Sequence, residues 1–146
     1  MGFDHERMDV YQAALRFFDV ALKIIRDLPQ GFGFVADQLS RASLSIMTNT
    51  AEGAGEHSRK AKGSFYRIAR RSATECAAIL DACRVGQAAD GRLLDSGREQ
   101  LLRIVAMHVR LAKAMEQSRQ PKTAAGSGSG SGAPASGLAR QGAAGI

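Results

Sequence analysis

The stretch RASLSIMTNTAEGAG, residues 41–55, decides the fold of this chain. Together with the residues before it, this stretch predicts an amphipathic helix from Phe34 to Gly53. The inward side of that helix carries Leu39, Ala42, Ile46 and Met47. Its many small side chains would let a partner helix approach closely; they are Ala42, Ser43, Ser45 and Ala51. Gly53 and Gly55 then follow as predicted helix stops.

Three more segments have the same helical period. A helix from Asp9 to Leu28 is predicted to turn inward Tyr11, Leu15, Phe18, Leu22 and Ile25. A helix capped by Ser58 and ending near Val85 has the inward stripe Phe65, Ile68, Ser72, Cys76, Ile79 and Cys83. A fourth helix, capped by Asp90, carries the seam Leu94, Leu101, Val105, His108, Ala112 and Met115. Four such segments joined by short loops predict an all-α, antiparallel up-down-up-down four-helix bundle.

The composition divides the 146-residue chain into two parts. Its length fits one domain. Only 5% of its residues are aromatic, which argues against a β-sandwich or barrel. From Pro121 onward the chain is rich in Gly, Ser and Ala and lacks helical periodicity. We therefore expect a bundle domain over residues 1–120 and a disordered tail over residues 121–146.

The location of the protein follows from features of the whole chain. The formal net charge is +6, and the two cysteines are too few for a disulfide scaffold. The N-terminal residues lack the apolar region of a signal peptide, and no apolar run is long enough to cross a bilayer. We expect a cytoplasmic protein with no membrane contact.

Several motifs at consistent spacing resemble one bacterial family, the four-helix-bundle proteins encoded in intervening sequences of 23S ribosomal RNA genes. The motif in the second helix is formed by Arg41, Ser45, Ile46, Asn49, Ala51, Glu52 and Gly53. The motif in the third helix is formed by Phe65, Ile68, Ala69, Ser72 and Glu75. The opening VYQAA, residues 10–14, also resembles the family's usual Val-Trp-Gln-x-Ala. Thr50 departs from the family pattern, because a larger aliphatic residue is usual there.

The resemblance implies a direction for function rather than an activity. Members of the family are similar to ring-forming homopentamers. One related branch serves as an accessory factor of diversity-generating retroelements, where a basic bundle contacts a reverse transcriptase and nucleic acid. A structural role is expected for the signature residues Arg41, Ser45, Asn49, Glu52, Gly53 and Glu75.

The polar signature residues leave several arrangements open. Arg41 and Glu52 are eleven residues apart and share one helix face, where they could orient neighbouring subunits. Alternatively, Glu52 could accept from a helix-three amide or pair with Arg70 within the chain. Asn49 could satisfy backbone groups near the end of the helix.

The chemistry of the chain is concentrated in a basic cluster on the third helix. Between residues 57 and 74 there is no acidic residue, and the basic ones are Arg59, Lys60, Lys62, Arg67, Arg70 and Arg71. At about 100° per residue, Lys60, Arg67 and Arg71 form an exposed ridge opposite the apolar stripe. Such a ridge could hold nucleic-acid phosphates, with Tyr66 as the one aromatic residue among the charges. The alternative is a solvated or protein-facing surface on which Arg71 pairs with Glu75.

The remaining candidate residues point to packing rather than to catalysis. Cys76 and Cys83 lie about 10.5 Å apart along one helix, too far for a disulfide, and are interpreted as core thiols. His108 is interpreted as a core or interface histidine. The chain has no Glu-x-x-His pair and no Ser/His/Asp or Cys/His constellation. We therefore expect no enzyme activity, no metal and no cofactor.

Two hypotheses of different classes remain. In the first, the protein is a nucleic-acid-associated accessory or assembly factor, a homo-oligomer that binds RNA or DNA and has a reverse transcriptase or another protein as partner. In the second, it is a protein-interaction or oligomeric scaffold module without nucleic-acid contact. The apolar residues Leu102 and Leu111 beside the fourth seam favour self-association in either case.

Overall fold

A computed structural model describes residues 1–117 of the chain, and all regular structure in this range is helical. A short 3-10 helix, Asp4–Arg7, precedes four long helices. These are α1 (Asp9–Asp27), α2 (Gly33–Gly55), α3 (Arg59–Val85) and α4 (Gly91–Gln117). The tail predicted for residues 121–146 lies outside the described residues.

Local capping fixes where α3 and α4 begin, as the sequence predicts. The Ser58 hydroxyl accepts a hydrogen bond of 3.0 Å from the Ala61 backbone N–H. The Asp90 carboxylate accepts one of 3.0 Å from the Arg92 backbone N–H. Of the two predicted stops of the second helix, Gly55 is confirmed as its last residue, whereas α2 continues through Gly53.

The four helices form the predicted up-down-up-down bundle. Successive helices are neighbours, and α1 also packs against α4, whereas the diagonal pairs make no close backbone approach within the described range. The bundle centre holds large, fully buried side chains from α1, α2 and α4: Phe17, Ile24, Leu39, Ile46, Leu94, Leu101 and Ile104. The inward positions predicted for α2 are confirmed, with Leu39, Ala42 and Ile46 buried and Met47 packed at the core margin.

The predicted inward face of α1 is wrong by about one residue along the helix. The buried residues are Val10, Ala13, Ala14, Phe17, Ala21 and Ile24. Leu22, which was placed inward, is 39% exposed, and the other four predicted positions are half-buried. Apolar residues cover a broad arc of α1, and the small side chains on this arc let α1 come close to its neighbours. Phe17 and Ile24 point to the centre of the core, whereas the half-buried Tyr11, Leu15, Phe18 and Ile25 lie at the margins of this arc.

On α3 the predicted stripe is only partly buried. Ser72, Cys76 and Cys83 are buried as predicted, but Phe65 and Ile79 are half-buried and Ile68 is 40% exposed. The inward positions that the sequence reading missed are Gly63, Tyr66, Ala69, Ala73 and Leu80. The core side of α3 is thus formed largely by small residues around one tyrosine.

The two cysteines are free and buried, which confirms their interpretation as core thiols. Burial raises the pKa of the Cys76 thiol to about 12, and the Glu75 charge adds to the shift. Burial also raises the pKa of Cys83. Neither thiol is therefore ionised near neutral pH, which leaves both as packing residues.

Among the helices of residues 1–117, none combines the length and hydrophobicity that a membrane crossing requires.

Candidate nucleic-acid interface

Three basic residues of α3 lie on the side of the helix that faces away from the core. Tyr66, Ala69 and Ala73 turn one side of the helix into the core. Lys60 and Arg71 lie on the opposite side and are exposed, as the helical period requires. With Arg67 between them, they form the surface called here the α3 ridge (Lys60, Arg67 and Arg71).

Arg67 is the ridge residue with a carboxylate partner. Its guanidinium lies 3.4 Å from a carboxylate oxygen of Glu116 on α4, and the two side chains are 40% and 68% exposed. Arg59, Lys60 and Arg67 line a shallow cleft of about 240 Å³ beside Glu116. Positive charge from the start of α3 therefore faces the end of α4.

Within residues 1–117, Arg59, Lys60, Arg70 and Arg71 have no ion pair. The pairing of Arg71 with Glu75 that the spacing allows is not formed. Arg59 is exposed next to the ridge, and Arg70 is half-buried beside it. These four cations are therefore not neutralised by the carboxylates of the described residues.

Lys62 has a different environment from the other basic residues of α3. Its ammonium group donates hydrogen bonds to the carbonyl oxygens of Gly53 at 3.1 Å and Ala54 at 2.8 Å. These carbonyls lie in the last turn of α2, where acceptors lack partners within the helix and the helix dipole favours a cation. Lys62 therefore caps α2, which accounts for a positive charge in the first turn of α3 without invoking a ligand.

The signature residues Ser45 and Asn49 form a polar link between α2 and α3 together with Ser72. The hydroxyl oxygens of Ser45 and Ser72 lie 2.8 Å apart across the helix pair. The Asn49 amide donates to both the hydroxyl and the backbone carbonyl of Ser45, each at 2.9 Å. Asn49 thus acts one turn back within α2 rather than at the end of the helix.

Gly53 is the signature residue with the tightest steric requirement. A Cβ atom placed there would lie 2.6 Å and 2.9 Å from two ring carbons of Tyr66 and 3.2 Å from Cβ of Phe65. The lack of a side chain at Gly53 lets the Tyr66 ring lie directly on the α2 backbone. The same packing buries Tyr66, so this ring is not available to stack on a nucleic-acid base.

The charged signature residues Arg41, Glu52 and Glu75 are exposed and have no ion pair within the described residues. Of the arrangements left open for Glu52, neither the pairing with Arg70 nor a hydrogen bond from a helix-three amide is formed within the described residues. All three side chains are exposed to solvent.

A buried hydrogen bond that the sequence reading missed joins α2 to α4. Thr50 and His108 are both fully buried, and the Thr50 hydroxyl lies 3.0 Å from Nε2 of His108. The ring of Tyr66 lies 5.8 Å from the His108 ring, measured between centroids. The available signal was the unusual Thr50 in an otherwise aliphatic position, together with one His on an apolar seam.

His108 is a core histidine, as interpreted from the sequence. Burial lowers its pKa to about 4, so the ring is neutral at physiological pH. Burial also raises the pKa of Tyr66. The three side chains lie inside the bundle, out of reach of a substrate, and a role in packing accounts for them.

No group of three or more His, Cys, Asp or Glu side chains in residues 1–117 is arranged to hold a metal ion. The expectations of no metal, no cofactor and no catalysis remain predictions. What the described surface offers chemically is cationic side chains that can bind anions.

Comparison with known families identifies one family that matches most of the bundle. The family described as 23S rRNA-intervening sequence protein matches residues 6–110, more than half of the chain. No curated protein matches the sequence significantly. The chain belongs to the 23S rRNA-intervening sequence protein family, which confirms the resemblance seen in its second and third helices.

Proposed function

We propose that this member of the 23S rRNA-intervening sequence protein family acts without catalysis, by holding the phosphate groups of a nucleic acid on the α3 ridge. The observation that carries the proposal is electrostatic. Lys60 and Arg71 are exposed on the side of α3 that faces away from the core, and neither has an ion pair within residues 1–117. Arg59 and Arg70 add charge beside them.

The ion pair of Arg67 with Glu116 is compatible with this role. Both side chains are largely exposed, and exposed ion pairs contribute only about 0–1 kcal/mol. A phosphate group could therefore replace Glu116 at little cost, because a guanidinium binds phosphate in two parallel hydrogen bonds. Lys62 is left out of the binding surface, because its ammonium is bound to the end of α2.

The test is a triple substitution of the ridge, Lys60→Gln, Arg67→Gln and Arg71→Gln, with RNA affinity measured over a range of salt concentrations. For single-stranded RNA, each lost phosphate contact reduces the slope of log affinity against log salt by about 0.7. We expect a slope smaller by about 2 and at least about a tenfold weaker affinity near 50 mM salt. Circular dichroism checks that helicity is unchanged.

The matched control carries the same loss of charge at the other end of the bundle: Arg26→Gln, Arg92→Gln and Arg98→Gln. These arginines are exposed, on the last turn of α1 and the first half of α4, and have no ion pair within the described chain. RNA affinity should change far less in the control than in the ridge variant. Equal affinities for the two triple variants would contradict the proposal.

A reverse transcriptase is the protein partner that we include in this proposal, on the basis of the family resemblance alone. A nuclease-treated pull-down at about 50 mM and about 200 mM salt separates a contact bridged by nucleic acid from a direct one, since phosphate contacts weaken steeply with salt. A partner retained only without nuclease would support a bridging nucleic acid.

Self-association is a second candidate function, favoured by an exposed apolar side chain. Leu102 is 60% exposed beside a cleft between α3 and α4 that is lined by Ala77, Leu101 and Val105. Leu111, by contrast, packs against the core. We propose a homo-oligomer, with the pentamer of the family as the expected size, and sedimentation of the wild type and of Leu102→Gln tests it. A wild type that remains monomeric at tens of micromolar would contradict self-association.

A further inference from the structure

A second basic surface, which the sequence reading did not single out, lies between α1 and α4. It is a groove of about 640 Å³ into which three arginines project, Arg16 from α1 and Arg103 and Arg110 from α4. Arg103 and Arg110 are seven residues apart, which is two helical turns, so they share one side of α4. The rest of the lining is Asp9, Gln12, Ala106 and Met107.

The three guanidinium groups of the groove lack compensating charge. Asp9 is the one carboxylate in the lining, and none of the three arginines forms an ion pair or hydrogen bond through its side chain within residues 1–117. Like charges that share a groove destabilise the fold slightly, and a concave surface concentrates their field. The groove therefore presents positive potential that no described part of the chain neutralises.

The composition of the groove fits an anion with paired oxygens, such as the phosphate of a nucleic-acid backbone. All three cations are arginines, whose planar guanidinium matches phosphate oxygens in paired hydrogen bonds. The apolar lining is small, Ala106 and Met107, and no aromatic ring is present to hold a base. The arrangement favours contact with a sugar–phosphate backbone over recognition of a base or of an apolar peptide side chain.

The groove and the α3 ridge lie at the same end of the bundle. Arg110, Lys113 and Glu116 follow each other at three-residue steps on α4, so they are neighbours on the helix surface. Lys113 is exposed, and Glu116 contacts Arg67 of the ridge. Arg110 and Glu116 are separated by about 9 Å of helix rise. Arg110 and Lys113 thus lead from the groove around α4 towards the pair of Glu116 with Arg67 on the ridge.

We infer that the α1–α4 groove binds the phosphodiester backbone of a nucleic acid, as a second contact for the strand that the α3 ridge holds. This inference rests on the proposed function for the choice of ligand, although the groove and the ridge share no residue. A strand that crosses the end of α4 would touch both surfaces.

The test replaces the groove arginines together, Arg16→Gln, Arg103→Gln and Arg110→Gln, and compares this variant with the ridge triple and with the Arg26, Arg92 and Arg98 control. The probe is one single-stranded RNA oligonucleotide, titrated over a range of salt. We expect the groove variant to lose at least about tenfold in affinity near 50 mM salt and to show a slope smaller by about 2. With both surfaces changed, the slope should fall by about 4.

The two proposals fail in different ways. If the groove variant matches the control while the ridge variant loses binding, the groove inference is overturned and the proposed function stands. If the reverse holds, the proposed function of the ridge is overturned, and the groove binds the backbone without the ridge. If both variants match the control, both are overturned.

A second set of measurements covers folding and ligand source. The charge-preserving variant Arg16→Lys, Arg103→Lys and Arg110→Lys should keep the salt slope and lose affinity by several-fold, because lysine cannot make the paired hydrogen bonds. It also keeps the test valid if the glutamine variant unfolds.

Titration with a nucleoside triphosphate and with inorganic phosphate distinguishes a small phosphate ligand from RNA. A groove variant that loses triphosphate binding but binds RNA like the control would overturn the inference.

Discussion

The hydroxyl of Thr50 and Nε2 of His108 lie 3.0 Å apart, and this hydrogen bond joins the diagonally opposed helices α2 and α4 inside the core. The Thr50 hydroxyl donates to the carbonyl of Ile46 at 2.6 Å, so its oxygen accepts from Nε2–H of His108. Burial lowers the pKa of His108 to about 4, so the ring is neutral near pH 7 and Nδ1 is an acceptor that is buried without a partner in the described chain. The bond from Nε2–H fixes the tautomer of this neutral ring.

The stability of the protein should fall in acid because of His108. Burial lowers the pKa of this ring to about 4 from 6.5, so the unfolded chain binds the proton more tightly than the folded one. The free energy of unfolding is not reduced by this effect above about pH 6.5. It falls as the pH is lowered from there through about 4, and the total loss is on the order of 3 kcal/mol. Urea unfolding between these pH values measures it.

The control for this pH dependence is His108→Gln, which removes the titrating ring and can still donate to Thr50. The carboxylates titrate alike in both proteins, so the difference in slope between them belongs to His108. Parallel curves of unfolding free energy against pH would show that the buried ring is not responsible.

Gly53→Ala should destabilise the protein, because the new methyl group would overlap the Tyr66 ring. Overpacking of this kind typically costs about 1–3 kcal/mol. The matched control is Gly55→Ala, in the same last turn of α2, where the added Cβ meets no neighbouring atom of residues 1–117 within 4 Å. Alanine favours the helix by up to about 1 kcal/mol relative to glycine, so Gly55→Ala should be neutral or stabilising. Thermal melts that rank the two variants the other way would refute the packing argument.

Lys62→Met should lower stability without weakening RNA binding. The change keeps the apolar stem and removes two hydrogen bonds to the end of α2, which costs about 1 kcal/mol. Arg71→Gln should behave in the opposite way, with stability within about 0.5 kcal/mol of wild type and RNA affinity reduced several-fold. Chemical unfolding and RNA titration on both variants provide the comparison. An RNA defect in Lys62→Met as large as that in Arg71→Gln would return Lys62 to the binding surface.

The link between Ser45 and Ser72 should appear as an energetic coupling between α2 and α3. A double-mutant cycle with Ser45→Ala and Ser72→Ala should give an interaction free energy of about 0.5–1.5 kcal/mol. Pairing Ser45→Ala with Ser64→Ala, an exposed position on α3, provides the control and should give additive losses. Additivity in both cycles would mean that the hydroxyl pair contributes nothing to helix association.

Much of the candidate site was readable from the sequence, because it depends on helical period alone. Lys60, Arg67 and Arg71 recur at intervals that must place them on one side of a helix, and the structure places them opposite the core. Lys62 could not be assigned in this way, since its partners, the carbonyls of Gly53 and Ala54, belong to another helix. The α1–α4 groove could not be predicted in this way either, because Arg16 lies far along the chain from Arg103 and Arg110.

The sequence by itself determined the four helices, their caps at Ser58 and Asp90 and the membership in the family, because period, capping and motif spacing act over a few residues. Only the tertiary structure decided which arc of α1 turns inward, that Gly53 is a contact for Tyr66, and that Thr50 meets His108. These outcomes depend on how closely the helices approach each other. That distance is set by side-chain packing between residues far apart in the chain, which no local pattern contains.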